Sequence, residues 1–484
     1  MPVMSRPFLQ AVLLCLGTLP ATPGGPSGQA GPSLQIEQVG LDLQVSVDYR
    51  AERLEGIARL AVRNAGSAPV LRIPLLLNRL MNVRRVTDTA GHELRYSERV
   101  VRFADDPKRQ VAFAEVDLSR PVPGHGRTEI VVHYDGNLVG YVETGSLYIR
   151  DHIDTAFTIL REDAYAFPVI GWPSWAVNRT VPRSPFRFHA RLTVPDGLVA
   201  VTGGQRVSER RSNGQVTWEY GSSETVPFLN IAIARYAEIG RRRIRAYVFP
   251  EDSAAARRAV DKAEEALDSL ARWFGPLSEE PRVTLIEIPS GYGSQASLSA
   301  GIILDASALR DTSRLHELYH ELSHLWNPRD TATPSPRITE GLATLLERRL
   351  AGALDGWTGL DSLVELRAAR LRARAATDSL LLAIPLRSYG AADRTNLSYT
   401  VGMLLFYSLQ QCVGVTAFDA LWRDYLQKTR LTGGSDQDFA DFASRQSGNP
   451  SVRILFDTWF FTTRWIERLS AGATLTALAG ECRH

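Results

Sequence analysis

The chain has 484 residues, of which 44% are hydrophobic and 22% are charged, and its formal net charge at pH 7 is +2. This composition is typical of a soluble globular protein, and the length suits about two to four domains. A charge so close to zero gives no reason to expect a nucleic-acid or polyanion partner.

The first thirty residues have the pattern of a secretory signal peptide followed by a linker. Arg6 supplies the positive region, residues 8–19 form a short apolar run, and residues 21–33 are small and rich in Gly and Pro. The apolar run is too short to cross a bilayer comfortably, and no other run reaches about eighteen apolar residues. We therefore expect a secreted or periplasmic protein without a stable membrane span.

Residues 31–240 have the pattern of a β domain. Leu41, Leu43, Val45 and Val47 alternate with polar residues, which is the period of a half-buried strand. Further short strands follow, separated by turn signals at 195–197 and 212–214. This region is predicted to form an antiparallel, sandwich-like domain.

The pattern changes near residue 250, where apolar residues recur at helical spacing. Residues 253–274 predict a long helix, residues 282–289 and 300–305 predict strands, and the remainder is mainly helical. The fold class is therefore α+β, with a second, mainly helical domain over residues 241–484.

The segment HELYHELSHLW, residues 316–326, contains two overlapping copies of H-E-x-x-H. Residues four apart lie on one face of a helix. Two imidazoles on one face, with a third ligand from elsewhere, make a zinc site that keeps one open position. The glutamate beside the first histidine can then take a proton from metal-bound water. Glu340, in TEGLATLLE, is the candidate third ligand.

Two frames of this motif are possible. The first binds metal through His316 and His320 with Glu317 as the base, and nineteen residues separate His320 from Glu340. This spacing resembles the thermolysin arrangement. The second binds metal through His320 and His324 with Glu321 as the base, and fifteen residues then precede Glu340.

The residues around the motif favour the second frame. HELSHLW resembles the HELAHQW segment of the M1 aminopeptidase family, and TEGLATLLE resembles that family's NEGFA segment, whose glutamate is the third zinc ligand. The resemblance implies one Zn2+ per chain, held by His320, His324 and Glu340, with Glu321 as the general base.

The resemblance extends over most of the chain. DAYAFPVIGWP (163–173) resembles the family's DARRAFPCFDEP, and FRFHARLTVPDGLVAVTGG (186–204) resembles its strand-and-turn segment. SYTVGMLLFYSLQQCVG (398–414) resembles VPYEKGFALLFYLEQLLG, which assigns the oxyanion-stabilising tyrosine to Tyr399. The implied fold is an N-terminal β-sandwich-like domain followed by a thermolysin-like catalytic domain, in a short form without the family's C-terminal helical domain.

One segment departs from the family. The family's GxMEN signature, whose glutamate holds the substrate's amino group, corresponds here to GYGSQASLSAGIIL (291–304), which has no acidic residue. Gly291 and Gln295 are the candidate substrate-binding residues, but an amide lacks the charge that an ammonium favours. This departure weakens the case for strict aminopeptidase activity.

The sequence thus predicts a secreted zinc peptidase of aminopeptidase type that acts on a peptide or protein substrate. An endopeptidase of the same fold, or a non-catalytic protein that binds peptides on a peptidase scaffold, remains an alternative. Whether Cys412 and Cys482 pair is also left open.

Overall fold

The computed structural model describes residues 35–180, 185–277, 282–292, 295–297, 301–332, 334–392 and 394–480. The predicted signal peptide lies outside these residues. A region of strands precedes a region of helices, so the predicted α+β class is confirmed. Within the described ranges no single helix is long and apolar enough to cross a membrane, whereas one pair bent by 116°, Thr395–Val413 with Val415–Thr429, passes by length and composition alone.

The N-terminal region is built from fourteen described strands and one short helix. Alternation drives this structure: Leu41, Leu43, Val45 and Val47 are all buried, as their period predicts, while the residues between them are more exposed. The elements are β1 (Ile36–Asp48), β2 (Arg53–Asn64), β3 (Val70–Asn78), β4 (Met81–Asp88), β5 (Tyr96–Arg102), β6 (Gln110–Val122), β7 (Arg127–Gly136), β8 (Thr158–Arg161), β9 (Val169–Ile170), α1 (Trp175–Thr180), β10 (Arg187–Pro195), β11 (Val199–Val201), β12 (Gln205–Ser212), β13 (Gln215–Gly221) and β14 (Asn230–Ala234).

These strands form three sheets that share one apolar core. The largest has the order β12-β13-β10-β1-β2-β7-β4, the second β5-β6-β3-β9, and the third β11-β14-β8. One pair departs from the antiparallel expectation, because β1 and β10 run parallel. A parallel pair needs a crossover connection, and the long segment between β7 and β10, which passes through the other two sheets, supplies it.

The second region combines a five-stranded sheet with twelve described helices. The sheet order is β15-β16-β17-β19-β18, with β16, β17 and β19 parallel and β15 and β18 antiparallel at the edges. The elements are β15 (Ala237–Gly240), β16 (Ile244–Val248), α2 (Ser253–Phe274), β17 (Val283–Ile288), β18 (Gln295–Ser297), β19 (Gly301–Asp305), α3 (Ala306–Arg310), α4 (Leu315–Ser323), α5 (Thr339–Asp355), α6 (Leu360–Ala375), α7 (Leu380–Ala383), α8 (Ser398–Val413), α9 (Val415–Thr429), α10 (Asp436–Gln446), α11 (Pro450–Phe456), α12 (Arg464–Ser470) and α13 (Leu475–Gly480).

The five-stranded sheet separates the two apolar cores of the molecule. Leu285 and Ile302 face the helical core, whereas their neighbours Ile286 and Ile303 face the core of the β region. Successive residues of a strand point to opposite faces, so strands buried on both sides read as continuous apolar runs. The predicted domain boundary at residue 240 falls between β15 and β16, which are paired strands of this sheet.

Two glycines bring α5 and α8 into close contact. A Cβ atom on Gly341 would lie 2.3 Å from the carbonyl carbon of Gly402 and 2.4 Å from its Cα. Glu340 directly precedes Gly341, and Tyr399 lies one turn before Gly402. The close approach of the two helix backbones therefore brings these two side chains into one region of the molecule.

Candidate metal centre

The helix α4 and the 3-10 turn that follows it present two histidines on one face. His320 lies in the last turn of α4, and His324 begins the turn His324–Trp326. The apolar side chains of this segment face the helical core, which leaves the imidazoles on the opposite side. Their ring centroids are 4.9 Å apart and the rings are nearly perpendicular, at 81°.

The first turn of α5 places Glu340 against both imidazoles. Its Oε2 atom lies 3.4 Å from Nε2 of His320 and 3.3 Å from Nε2 of His324. The carboxylate is buried, with 4% of the residue exposed, and Oε2 accepts no hydrogen bond from the described residues. A buried carboxylate oxygen without such a bond is costly unless a cation is bound there.

The three side chains therefore fit a metal ion. One potential ligand atom from each residue lies within 4.8 Å of the other two. Two imidazole nitrogens and one carboxylate oxygen, with a further position open, are the donor set of a catalytic zinc site. The structure brings together the ligands of the second frame.

The outer nitrogens of both rings have polar partners. Nδ1 of His320 lies 3.0 Å from Oε2 of Glu347, and Nδ1 of His324 lies 2.8 Å from the side-chain amide of Asn327. Glu347 can accept the Nδ1 proton of His320 and so leaves Nε2 of that ring free to bind metal. The atom of Asn327 that faces His324 is its amide nitrogen Nδ2, so binding of metal through Nε2 of His324 requires the amide to turn and present its oxygen. The sequence motifs gave no signal for Asn327, whereas Glu347 lies two turns after Glu340 on the same face of α5, where a partner of a ligand could have been sought.

His320 and the carboxylate of Glu340 change each other's pKa values. Burial opposes the charge of His320, but Glu340 and Glu347 raise its pKa to about 10. Burial would likewise raise the pKa of Glu340, yet the two histidines and Arg337 hold it well below its usual value. The site therefore stabilises a positive charge beside Glu340.

Glu321 lies on α4 between the two histidines. Burial is the main cause that raises its pKa, and Glu340 adds to this, while His320 and His324 oppose it. A carboxylate with a raised pKa is suited to accept and return a proton near neutral pH. Its position and its protonation behaviour are both compatible with a general base.

Tyr399, in the first turn of α8, lies beside the same ligands. Its ring stacks on that of His320, with centroids 5.8 Å apart and 12° between the planes, and 38% of the residue is exposed. Partial burial of the phenol and the charges of Glu340 and Glu321 raise its pKa, against the effect of Arg337. The hydroxyl therefore keeps its proton and can donate it in a hydrogen bond.

The residues specific to the first frame lie outside the three-residue group. Nδ1 of His316 lies 2.9 Å from the carbonyl oxygen of Ser313, and Glu317 pairs with Arg314 at 2.6 Å. These contacts are typical of the first turn of a helix that is partly exposed.

Gly291 and Gln295 lie near the open edge of the five-stranded sheet. Gly291 has a φ of 96°, and its N–H donates to Asp305 at 2.8 Å, so its conformation is that of a tight turn. Gln295 begins β18, where it pairs with Ile303, and its side chain lies outside the described residues. Among the described residues, β18 is an edge strand that pairs with β19, and it contacts α4. Substrate binding by Gly291 and Gln295 stays a prediction.

Comparison with known proteins identifies the fold. No protein-family model and no curated protein matches the chain. Among solved structures, the M1 zinc metallopeptidase from Deinococcus radiodurans is 19% identical, with a TM-score of 0.62 over 89% of this chain and 95% of that chain.

Two related structures contain ligands. A variant of the Deinococcus radiodurans protein bound to a Tyr-Ser-Ala substrate is 20% identical, with a TM-score of 0.62 and the same coverage. A two-domain M1 zinc metallopeptidase variant bound to L-arginine is 19% identical, with a TM-score of 0.59 over 91% of this chain and 95% of that chain. The chain thus has the fold of the M1 zinc metallopeptidases.

Proposed function

We propose that this protein is a zinc-dependent peptidase of aminopeptidase type. The observation that carries the proposal is the convergence of His320, His324 and Glu340, with a buried carboxylate oxygen that accepts no hydrogen bond from the described residues. The M1 zinc metallopeptidase fold supports it, because 89% of this chain aligns with such a protein at a TM-score of 0.62.

The roles of the side chains follow from their positions. A bound zinc ion would act as a Lewis acid that polarises the scissile carbonyl and makes water a better nucleophile. Glu321 takes the proton of the attacking water on its carboxylate and returns it to the leaving amine. Tyr399 donates its phenolic proton in a hydrogen bond to the oxygen that becomes negatively charged.

Two observations point to different terminus preferences. The solved structures of similar fold contain a tripeptide or a free amino acid, which supports cleavage next to a free amino terminus. The absence of an acidic residue between 291 and 304 instead favours an endopeptidase, which has no ammonium group to hold. This second candidate function needs its own test.

We also propose that the protein works in an oxidising compartment outside the cytoplasm. The signal-like N-terminal sequence supports this location. Cys412 on α8 is disulfide-bonded, and disulfides persist in secreted and periplasmic proteins.

The proposal is tested by metal analysis together with hydrolysis of two fluorogenic peptide sets, one with free and one with blocked amino termini. We expect about one zinc per chain and turnover of the free-amine set. Turnover of blocked peptides alone would replace the aminopeptidase with an endopeptidase.

Glu321→Gln is the matched variant, because it keeps the shape of the side chain and removes the base. We expect it to bind zinc like the wild type and to lose roughly 10²- to 10⁴-fold in turnover. A variant that binds zinc and keeps full activity contradicts the role of Glu321. Zinc bound by the wild type without turnover of either peptide set would favour a binding protein.

A further inference from the structure

The two oxygens of the Glu340 carboxylate have different partners, and one of these partners is Arg337. Its Nη2 atom donates a hydrogen bond to Oε1 of Glu340, while Oε2 of the same carboxylate faces the two imidazoles. The guanidinium belongs to the loop between the zinc-site turn and α5, three residues before Glu340. The sequence motifs gave no signal for this residue.

The backbone at Arg337 is held in an unfavourable conformation. Its φ is 55°, in the left-handed region that residues with a Cβ atom rarely adopt. Its N–H donates to Oγ of Ser335 at 3.0 Å, and its carbonyl oxygen accepts from the N–H of Glu340 at 3.1 Å. Oγ of Ser398, at the start of α8, donates to the carbonyl oxygen of Pro336. Such a conformation persists only where its surroundings impose it, and here those contacts fix the start of the Arg337 side chain close to Glu340.

The two partners differ in their exposure. The side chain of Arg337 is 54% exposed, whereas that of Glu340 is 6% exposed. The guanidinium therefore covers the buried carboxylate from the solvent side. It occupies the oxygen that would otherwise be free to turn toward a metal ion.

We propose that Arg337 is a positioning residue of the metal centre, which binds Oε1 of Glu340 so that this ligand offers the ion Oε2 alone. A carboxylate bound through one oxygen leaves a four-coordinate site with a position for water or substrate, whereas a carboxylate bound through both oxygens adds a fifth ligand atom that crowds that position. The charge of the guanidinium also offsets one negative charge beside the ion. This inference rests on the proposed function, because it requires that the site binds zinc.

The test uses substitutions of Arg337 in the full-length chain. Arg337→Met removes the charge and the donor, and Arg337→Lys keeps the charge without the planar fork. R337G removes the side chain and also relieves the backbone, because glycine adopts a positive φ freely. Arg374→Gln is the control, since Arg374 is a partly exposed arginine that pairs with Asp378 at 3.2 Å and does not contact the three ligands.

Three readouts are measured: zinc affinity by competition with a chelator, the visible spectrum of the cobalt-substituted protein, and the melting temperature of the metal-free protein. For Arg337→Met we expect roughly 10- to 100-fold weaker zinc binding, the usual effect of losing a partner of a metal ligand. We also expect a weaker cobalt absorption, because binding by both oxygens of Glu340 raises the coordination number. Arg337→Lys should recover part of both effects, and Arg374→Gln should show neither.

R337G separates positioning from a merely structural role. We expect its metal-free melting temperature to equal or exceed that of the wild type, while its zinc affinity and cobalt spectrum follow Arg337→Met. Wild-type affinity and spectrum in Arg337→Met or in R337G would overturn the inference and leave the proposed function intact. A wild-type protein that binds no zinc would refute the proposed function itself.

Discussion

The contact between α5 and α8 gives a prediction in which stability and activity change together. In Gly341→Ala, the new Cβ would lie 2.3–2.5 Å from three backbone atoms, the carbonyl carbon and Cα of Gly402 and the nitrogen of Met403. Ordinary contact between such atoms is about 3.5–4.0 Å, so the helices must separate by roughly 1 Å. Backbone atoms cannot turn aside as a side chain can.

Two opposing effects set the change in the free energy of unfolding of Gly341→Ala. Overpacking of this kind costs about 1–3 kcal/mol, and the cost here lies toward the upper limit because both sides of the clash are backbone. The higher helix propensity of alanine returns up to about 1 kcal/mol. We expect a net loss of about 2 kcal/mol in the free energy of unfolding, or a fall of roughly 4–8 °C in the melting temperature.

The same displacement moves Tyr399 relative to Glu340, because each lies next to the contact in its own helix. A misplacement of about 1 Å in a catalytic group can cost on the order of 10²-fold in rate. We therefore expect Gly341→Ala to lower peptide turnover by about that factor.

The assay combines thermal melting with peptide turnover at saturating zinc. Gly402→Ala provides a milder test, because its Cβ would lie 3.1 Å from Cα of Gly341. Gly352→Ala is a control on the same helix. Its Cβ would lie 3.2 Å from the carbonyl oxygen of Trp357, and this position is outside the contact between α5 and α8. Wild-type melting and turnover in Gly341→Ala would refute the argument that this contact sets the position of Tyr399.

Three further substitutions test separate parts of the site and its support. Tyr399→Phe should lower kcat by about 10²- to 10³-fold with unchanged zinc affinity, because it removes one oxyanion donor; unchanged kcat would exclude that role. Glu347→Ala should weaken zinc binding by about 10- to 100-fold in a chelator competition, since it frees Nδ1 of His320, and equal affinity would argue against this role. Burial raises the pKa of Asp436 to about 7, so the folded state favours its protonated form. The contribution of this group to stability is therefore full below its unfolded pKa of about 4 and is lost as the pH rises through 7. Melting temperatures measured from pH 5 to 8 should show this fall in the wild type and less of it in Asp436→Asn, and parallel curves would contradict it.

Local patterns in the sequence were sufficient for several features. The alternation from Leu41 to Val47 predicts a half-buried strand, and β1 has that burial. The spacing of His320 and His324 predicts that both lie on one helix face, and their rings are 4.9 Å apart. These predictions succeed because period and turn chemistry depend on residues close in sequence.

Residues close in sequence did not decide between the two frames of the H-E-x-x-H motif. His316 shares the helix face of the other two histidines, so spacing alone does not exclude it. Contact between α4 and α5 places Glu340 against His320 and His324, and leaves His316 beside Ser313. A family resemblance pointed to the same frame, but the physical decision is made by the packing of two helices.

By itself, the sequence determined the α+β class, the order of strands and helices, and the residue types of the candidate site. Only the tertiary structure decided that β10 runs parallel to β1, that Gly341 and Gly402 bring Tyr399 beside His320, and that Arg337 holds the second oxygen of Glu340. Strand order and helix contact depend on residues far apart in the chain, and the placement of Arg337 depends on a left-handed backbone conformation and on a contact from Ser398, which no sequence period encodes.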